Sequence, residues 1–357
     1  MKILIDARAL QTYSAFRGIG RYIRHIIRSV GSEDDDCGFL FFKEKKQRPE
    51  TDRAVFTSSP RRLITLTDRL CLTRIFKTHS CYCYHSTAYA LPARFAGIRY
   101  ILTVHDLTPL HFPQFFTARH RIIFKTIIRS AARADLVLAN SRTTAHDLAS
   151  YIHISEERIK TVYHMLDERL TEAEAIRPKF PLPSEYLLYV GGADRIKNLE
   201  TLLGVIPLLK IPLVIAGEID VSRQNELCSR LGHRWQPYLH FTGFIPDGEL
   251  AYLYRHAAVF VCPSLNEGFG FPPLEALQCG TPAVVSRAGS LDEVLGDAAL
   301  FVDDPFDAGE FTVRIRMLLE DSRLREEMIL RGREQVKAYS PLNFKKNLLG
   351  IYRQMGS

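Results

Sequence analysis

Val259-Phe-Val-Cys-Pro-Ser264-Leu-Asn-Glu267-Gly-Phe-Gly270-Phe-Pro272-Pro-Leu-Glu275-Ala-Leu-Gln-Cys-Gly280-Thr-Pro282-Ala-Val-Val-Ser286 reads as strand, loop, helix and strand. Val259–Cys262 is a short unbroken apolar run, the pattern of a strand buried on both faces. Pro272 suits the first position of a helix, where its missing N–H costs nothing. Glu267 and Glu275 stand on either side of that helix start. Backbone N–H groups at a helix N-terminus attract phosphate. Carboxylates there repel phosphate but accept hydrogen bonds from hydroxyls. A ligand carrying both, such as a sugar nucleotide, fits the combination.

Outward from this stretch, strand-like runs alternate with helical periods, which argues for parallel α/β units. In the first half Ile3–Asp6, Tyr100–Val104 and Leu136–Ala139 read as strands, and Gly20–Val30, Thr117–Ala132 and Arg142–Tyr151 as helices. Residues 32–60 are poorly patterned, with Glu33-Asp-Asp-Asp36 and Lys43-Glu-Lys-Lys46 reading as solvated turns. Residues 171–185 are polar and contain three prolines, the composition of an interdomain linker. A second series starts at Tyr186–Val190 and continues through Leu213–Ala216, Leu239–Thr242, Val259–Cys262, Ala283–Val285 and Ala299–Val302. Helices fall at about 198–208, 222–231, 247–256 and 272–279, with a last one at about 340–355. The chain thus divides into 1–170, a linker 171–185, 186–338 and a terminal segment 339–357. Two doubly wound domains follow, with ligands expected at the strand C-termini.

The 357 residues, 46% hydrophobic and 24% charged, have the composition of an ordinary globular protein. No apolar run approaches the ~18–20 residues of a membrane span. The N-terminus enters a strand directly after Lys2, too soon for a signal peptide, so a cytoplasmic location is the default expectation. Seven cysteines without C-x2-C spacing read as packing residues. Residues 1–170 carry 27 Lys and Arg against 16 Asp and Glu, a net of +11; the remainder carries 20 against 24, a net of −4. Such asymmetry suggests a polyanionic partner. Nucleic acid has no supporting motif. Peripheral contact with an anionic membrane fits better, a merely basic surface being the plain alternative. The 117–132 helix interleaves Arg119, Arg121, Lys125 and Arg129 with Ile122, Phe124, Ile127 and Ile128, as an interfacial helix does.

Glu267 through Ser286 resembles the E-x7-E motif of the retaining glycosyltransferases of family four, which adopt the GT-B fold. Gly18-Ile-Gly20-Arg21-Tyr, Thr103-Val-His105-Asp106-Leu, Ala134-Asp135-Leu…Asn140-Ser141, Tyr189-Val-Gly191-Gly192…Lys197-Asn198 and Thr242-Gly243-Phe244 follow the family's order. The resemblance implies two Rossmann-like domains facing across a cleft, an acceptor-side domain first and a nucleotide-sugar domain second. A last helix would cross back to the first domain. It also implies transfer of a hexose from a nucleotide-sugar to a glycan or lipid-linked acceptor, with retention of anomeric configuration. Gly18–Tyr22, Tyr84-His-Ser86, His105-Asp-Leu107, Leu253-Tyr-Arg255 and Gly296-Asp-Ala-Ala299 are similar to bacterial mannosyltransferases of O-antigen (lipopolysaccharide) and capsule assembly. That favours GDP-mannose over UDP-glucose, UDP-N-acetylglucosamine or dTDP-rhamnose. A nucleotide-sugar epimerase, a phosphorylase on the same fold and a non-catalytic scaffold subunit stand as alternatives.

By the same resemblance, Glu275 would bind the ribose hydroxyls, the alternative being a first-turn carboxylate that stabilises the helix dipole. Glu267 would contact hydroxyls of the donor sugar. Phe269, Gly270 and Phe271 would offer backbone N–H groups to the sugar and diphosphate. The departing diphosphate needs a cationic clamp. Lys197 matches the family's lysine, whereas the family's arginine usually follows the first glycine, where this chain has Gly192; Arg195 would act from a shifted position. His105 would sit beside the transferred sugar, against the plain reading of a buried, satisfied histidine. Asp106 would hold the loop or orient the acceptor. Gly18 and Gly20 resemble a loop that approaches the diphosphate, with Arg21 reaching the phosphate or lying on the surface. Gly243 and Phe244 would border the base. With an Arg/Lys clamp no metal or other cofactor is expected, and Asp34-Asp-Asp36 reads as a solvated turn.

Overall fold

The computed structural model describes residues 2–12, 15, 18–30, 36–43, 51–57, 64–152, 154–166 and 168–356. In chain order the first elements are β1 (Ile3–Asp6), α1 (Gly18–Val30), β2 (Cys37–Phe42), β3 (Ala54–Thr57), α2 (Ile64–His79), β4 (Cys83–Ser86), β5 (Arg99–Val104), α3 (Thr108–His111), α4 (Ala118–Ser130), β6 (Leu136–Ala139), α5 (Arg142–Ile152) and β7 (Ile159–Thr161). There follow α6 (Arg169–Glu172), β8 (Leu187–Val190), α7 (Glu200–Leu209), β9 (Leu213–Ala216), α8 (Val221–Leu231), β10 (Leu239–Gly243), α9 (Asp247–His256), β11 (Val259–Cys262), α10 (Phe271–Gln278) and β12 (Ala283–Ser286). The chain ends with α11 (Leu291–Leu295), β13 (Leu300–Val302), α12 (Ala308–Glu320), α13 (Ser322–Gln335) and α14 (Pro341–Gln354).

Two compact units result. Unit 1 runs to Met165 and takes up the chain again from Pro341; unit 2 is Leu166–Ser340. Unit 1 holds a seven-stranded sheet in the order β3-β2-β1-β4-β5-β6-β7 and unit 2 a six-stranded sheet in the order β10-β9-β8-β11-β12-β13. The paired strands are parallel throughout. A parallel strand covered on both faces buries every side chain, which is why Leu213–Ala216 and Val259–Cys262 are apolar without alternation. In each sheet the order reverses beside the first strand, between β1 and β4 and between β8 and β11. Doubly wound folds place ligands at such switch points.

Residues 32–60 are more ordered than their sequence suggests, because β2 and β3 lie among them. Cys37-Gly-Phe-Leu-Phe-Phe42 is a wholly buried run whose register pairs Ile3 with Cys37. Glu33 to Asp35 and Glu44 to Lys46, read as turns, lie outside the described residues; Asp36 pairs with Lys2 at 2.7 Å. The 117–132 helix is also divided differently from its reading as one interleaved surface. In α4, Ile128 is buried and Phe124 and Ile127 pack against the same core. The exposed apolar pair is instead Ile122 and Ile123, at 66% and 48%.

With the observed boundaries, unit 1 carries 29 Lys and Arg against 14 Asp and Glu, net +15, and unit 2 carries 18 against 26, net −8. Phe344, Leu348, Ile351 and Tyr352 of α14 enter the same core as Ile3, Ile5, Tyr22 and Ile26. Arg99 donates to the carbonyls of Gln354 and Met355, closing the C-terminal end of that helix. Removing a fully buried leucine costs roughly 2–5 kcal/mol. Leu348→Ala should therefore bring a unit 1 unfolding transition to lower urea, and an unchanged urea profile would contradict this assignment of α14.

Candidate active site

The unit 2 switch point is built from the loops that follow β8 and β11. The first loop turns through Asn198, which is left-handed at φ 50° and buried. Asn198 Nδ2 donates to the carbonyls of Pro263 and Pro305, at 3.0 and 2.6 Å, and so ties the loops after β8, β11 and β13 together. Lys197, next to it, donates to Glu267 Oε1 at 2.6 Å. Ser264 Oγ donates to the same oxygen at 2.7 Å, and Ser290 holds the Glu267 carbonyl through its N–H and its hydroxyl. Glu267 Oε2 makes no hydrogen bond to a described residue, so one oxygen of a fixed carboxylate can take a ligand hydroxyl. Lys197 and Glu267, read separately from sequence, thus form one constellation.

Arg195 does not join that pair. It is exposed, and its charge acts on Glu226 of α8. Gly270 opens α10 at φ 87°, and a Cβ there would come 2.4 Å from Leu291 Cδ2, so both its conformation and its packing require glycine. The rings of Phe269 and Phe271 are buried in edge contact at 5.2 Å.

Glu275 is the fifth residue of α10, one position past the first turn expected from its sequence, because the helix begins at Phe271 and not at Pro272. The dipole argument therefore lapses. Its carboxylate is held by named donors instead: Arg169 Nη2 reaches Oε1 at 2.8 Å and Tyr254 Oη reaches Oε2 at 2.9 Å. At the end of β10, Gly243 bridges to Gly217, and Phe244 stands 82% exposed.

In unit 1 the site residues gather around His105, directly after β5. Its Nε2 donates to the Thr87 carbonyl at 2.9 Å, which leaves Nδ1 as the acceptor of the neutral ring. Burial lowers its pKa. Tyr22 meets the ring edge-on at 5.1 Å, and His164 lies 5.7 Å away. Asp106 accepts from the Thr108 N–H and so holds the loop into α3. Gly18 and Gly20 belong to the first turn of α1 rather than to a loop. A Cβ on Gly20 would fall 2.3 Å from the Ala15 carbonyl oxygen, so close packing explains that glycine. Arg21 is half-buried, and its charge helps lower the pKa of His164.

Several residues of this neighbourhood carry no motif. Asp6, the last residue of β1, and Arg8, just beyond it, are both fully buried and form an ion pair through Arg8 Nε and Nη2, at 2.9 and 2.7 Å. Tyr84 Oη donates to Asp6 at 2.8 Å, and Phe42 and Tyr89 place their rings 5.5 Å from the guanidinium. The strand-end Asp-x-Arg was the available signal. His85, fully buried, hydrogen-bonds Tyr352 and Thr103, each at 2.7 Å, and thereby links α14 to β4 and β5. Among the described residues no group of three or more His, Cys, Asp or Glu could hold a metal ion, and no helix is long and apolar enough to cross a membrane.

Two parallel-sheet Rossmann-like units in one chain make the GT-B glycosyltransferase architecture, and solved structures of that class match along its length. Sucrose-phosphate synthase of Thermosynechococcus elongatus superposes with a TM-score of 0.82 at 20% identity, covering 99% of each chain. WaaG, a glycosyltransferase involved in lipopolysaccharide biosynthesis, gives 0.72 at 15% identity, covering 98% of this chain and 99% of its own. Residues 16–170 match Glycosyltransferase Family 4 and residues 172–335 match Glycosyl transferases group 1. The chain is 33% identical to the O-antigen chain mannosyltransferase B of Escherichia coli over 76% of this chain and 74% of that one. It is 26% identical to the serotype-specific mannosyltransferase WbdA of Escherichia coli over 96% of this chain, but spans only 47% of that longer protein. The chain belongs to glycosyltransferase family four.

His85, His105 and His164 all have lowered pKa values because burial disfavours their charged forms, that of His85 falling to about 3. A histidine depressed in the folded state contributes its full stability above the unfolded pKa of about 6.5 and loses it as pH falls toward the folded value. Each contributes a slope of up to ~1.4 kcal/mol per pH unit. Unit 1 should therefore need less urea to unfold at pH 5.5 than at pH 7.5. His85→Gln should flatten that dependence, and a urea midpoint insensitive to pH over this range would refute the assignment of neutral histidines.

Proposed function

We propose that this glycosyltransferase moves mannose from GDP-mannose, with retention, to a glycan or lipid-linked acceptor in bacterial surface polysaccharide synthesis. The observation that carries the reading is the Lys197–Glu267 pair at the unit 2 switch point, which sets a cation and a hydroxyl acceptor side by side. Lys197 would stabilise the diphosphate as the glycosidic bond breaks, because a preorganised charge acts where negative charge develops. Glu267 would orient the sugar through its available oxygen, Glu275 would take the ribose hydroxyls, and Phe244 would border the base. His105, neutral with Nδ1 as acceptor, would contact the sugar. Arg195, exposed and outside the Lys197–Glu267 pair, would act only by turning its side chain toward the diphosphate. The mannosyl identity is supported by the O-antigen mannosyltransferase relatives. A nucleotide-sugar donor is supported by the fold shared with Anabaena HepE, solved in complex with UDP-glucose at a TM-score of 0.76 and 16% identity.

GDP-mannose should be consumed only when acceptor is present, in excess EDTA, with the anomeric configuration of the donor kept in the product by NMR. Acceptor-independent conversion to another sugar nucleotide would point to an epimerase, and a rate that collapses with chelator and returns with metal would refute the clamp.

The basic unit 1 would dock on anionic lipid through α4. Arg119, Arg121, Lys125 and Arg129 are exposed there, flanking Ile122 and Ile123, with no acidic residue between Ala118 and Ser130. Each cation near such a surface contributes about 1 kcal/mol, and exposed apolar side chains enter the headgroup boundary. Co-sedimentation with vesicles should require anionic lipid, fall with salt and weaken on charge reversal at Arg121 and Lys125. Equal partitioning to neutral vesicles at low salt would exclude the docking.

A further inference from the structure

Glu275 is 2% exposed, and donors from two different elements reach its carboxylate. Tyr254 reaches it from α9, and Arg169 reaches it from α6, a four-residue helix that begins three positions into unit 2. Arg169 is itself braced, because its other terminal nitrogen Nη1 is ion-paired with Asp247 in the first turn of α9. The segment that carries it is stitched to the same helix. Arg255, in the last turn of α9, donates to the carbonyls of Leu170 and Thr171 at 2.8 and 3.0 Å, and the Ile176 N–H donates to the Gly248 carbonyl at 3.1 Å. The start of the stretch read as an interdomain linker is therefore bound along α9, and Arg169, just before it, reaches a carboxylate 106 positions away.

We propose that Arg169 is a positioning residue for nucleotide recognition, fixing the Glu275 carboxylate in the orientation that accepts the ribose hydroxyls of the donor. The inference rests on the ribose role given above to Glu275. A planar guanidinium fork braced at one end holds a carboxylate plane in a way that a single flexible donor does not. Two vicinal hydroxyls need that plane in place before binding, since otherwise each hydrogen bond is offset by the cost of ordering the side chain. Arg169 acts through Glu275 and need not touch the ligand. Losing it should therefore erase discrimination at the ribose while sparing what the diphosphate contributes.

The test uses the full chain and titration calorimetry with GDP, UDP and their 2′-deoxy counterparts. A hydrogen bond to a charged group corresponds to about 10-fold or more in affinity, so the wild type should prefer the ribonucleotide by at least about 10-fold. Arg169→Ala should bring the two within about twofold, chiefly by weakening the ribonucleotide, with Arg169→Lys between the two. A merely structural role would weaken both nucleotides alike and leave the ratio unchanged. Arg169→Ala that keeps the wild-type ratio overturns the positioning role alone. A wild type that binds the nucleotides without ribose preference overturns the ribose role of Glu275 and this inference with it. Should Arg169→Ala fail to fold, Asp247→Asn removes the brace while keeping the arginine. A reduced ratio in that variant supports the proposal, and a wild-type ratio contradicts it.

Discussion

The ion pair between Lys197 and Glu267 joins the two loops on which the unit 2 site depends. Parallel pairing of β8 with β11 brings residues 70 positions apart to one strand end, and Asn198 locks the loops there through two backbone carbonyls. The pair is partly buried, with side-chain exposures of 28% for Lys197 and 11% for Glu267. Removing one partner from such a pair leaves the other charge poorly solvated, so each partner helps to hold the other's loop. In the proposed role a diphosphate would share Lys197 with Glu267, which already holds the cation in place. Such preorganisation avoids reorganisation at the moment of reaction.

Charge on the larger scale makes this local cation necessary. Unit 2 is net −8 yet is the unit that would receive an anionic nucleotide, while unit 1 is net +15. On the proposed reading, a phosphate at unit 2 would have to be held by local groups against the unit's overall field, the role proposed for Lys197 with the α10 start. In unit 1 the opposite economy holds. Burial disfavours the charged forms of His85, His105 and His164, and the buried Arg8 and Asp6 pair with each other, with Tyr84 donating to Asp6.

Much of the fold was legible because parallel strands leave a plain trace. Ile3–Asp6, Leu136–Ala139, Leu213–Ala216 and Val259–Cys262 occur with the bounds expected from their apolar runs. β2 was lost beside an acidic run and β4 because it contains His85 and Ser86, polar residues that are buried only through partners the sequence does not display. The helices α12 and α13 were overlooked, although Asp307 and Asp321 cap them with side-chain acceptors at their starts. Motifs located Glu267, Lys197 and His105 individually. The contacts of Glu267 with Lys197, of His105 with Thr87 and of Glu275 with Tyr254 and Arg169 were not legible, because they are set by topology and not by spacing. Gly20, read for a ligand, also has a packing reason that the sequence does not display, the nearby Ala15 carbonyl.

The most direct test of the central claim is a double-mutant cycle on turnover of GDP-mannose with Lys197→Ala, Glu267→Ala and the pair. Residues that act as one unit give strongly non-additive losses, with interaction energies of about 0.5–3 kcal/mol. The account predicts that the double variant is little worse than the more impaired single variant. Losses that simply add would show that Lys197 and Glu267 work independently and would contradict the shared site.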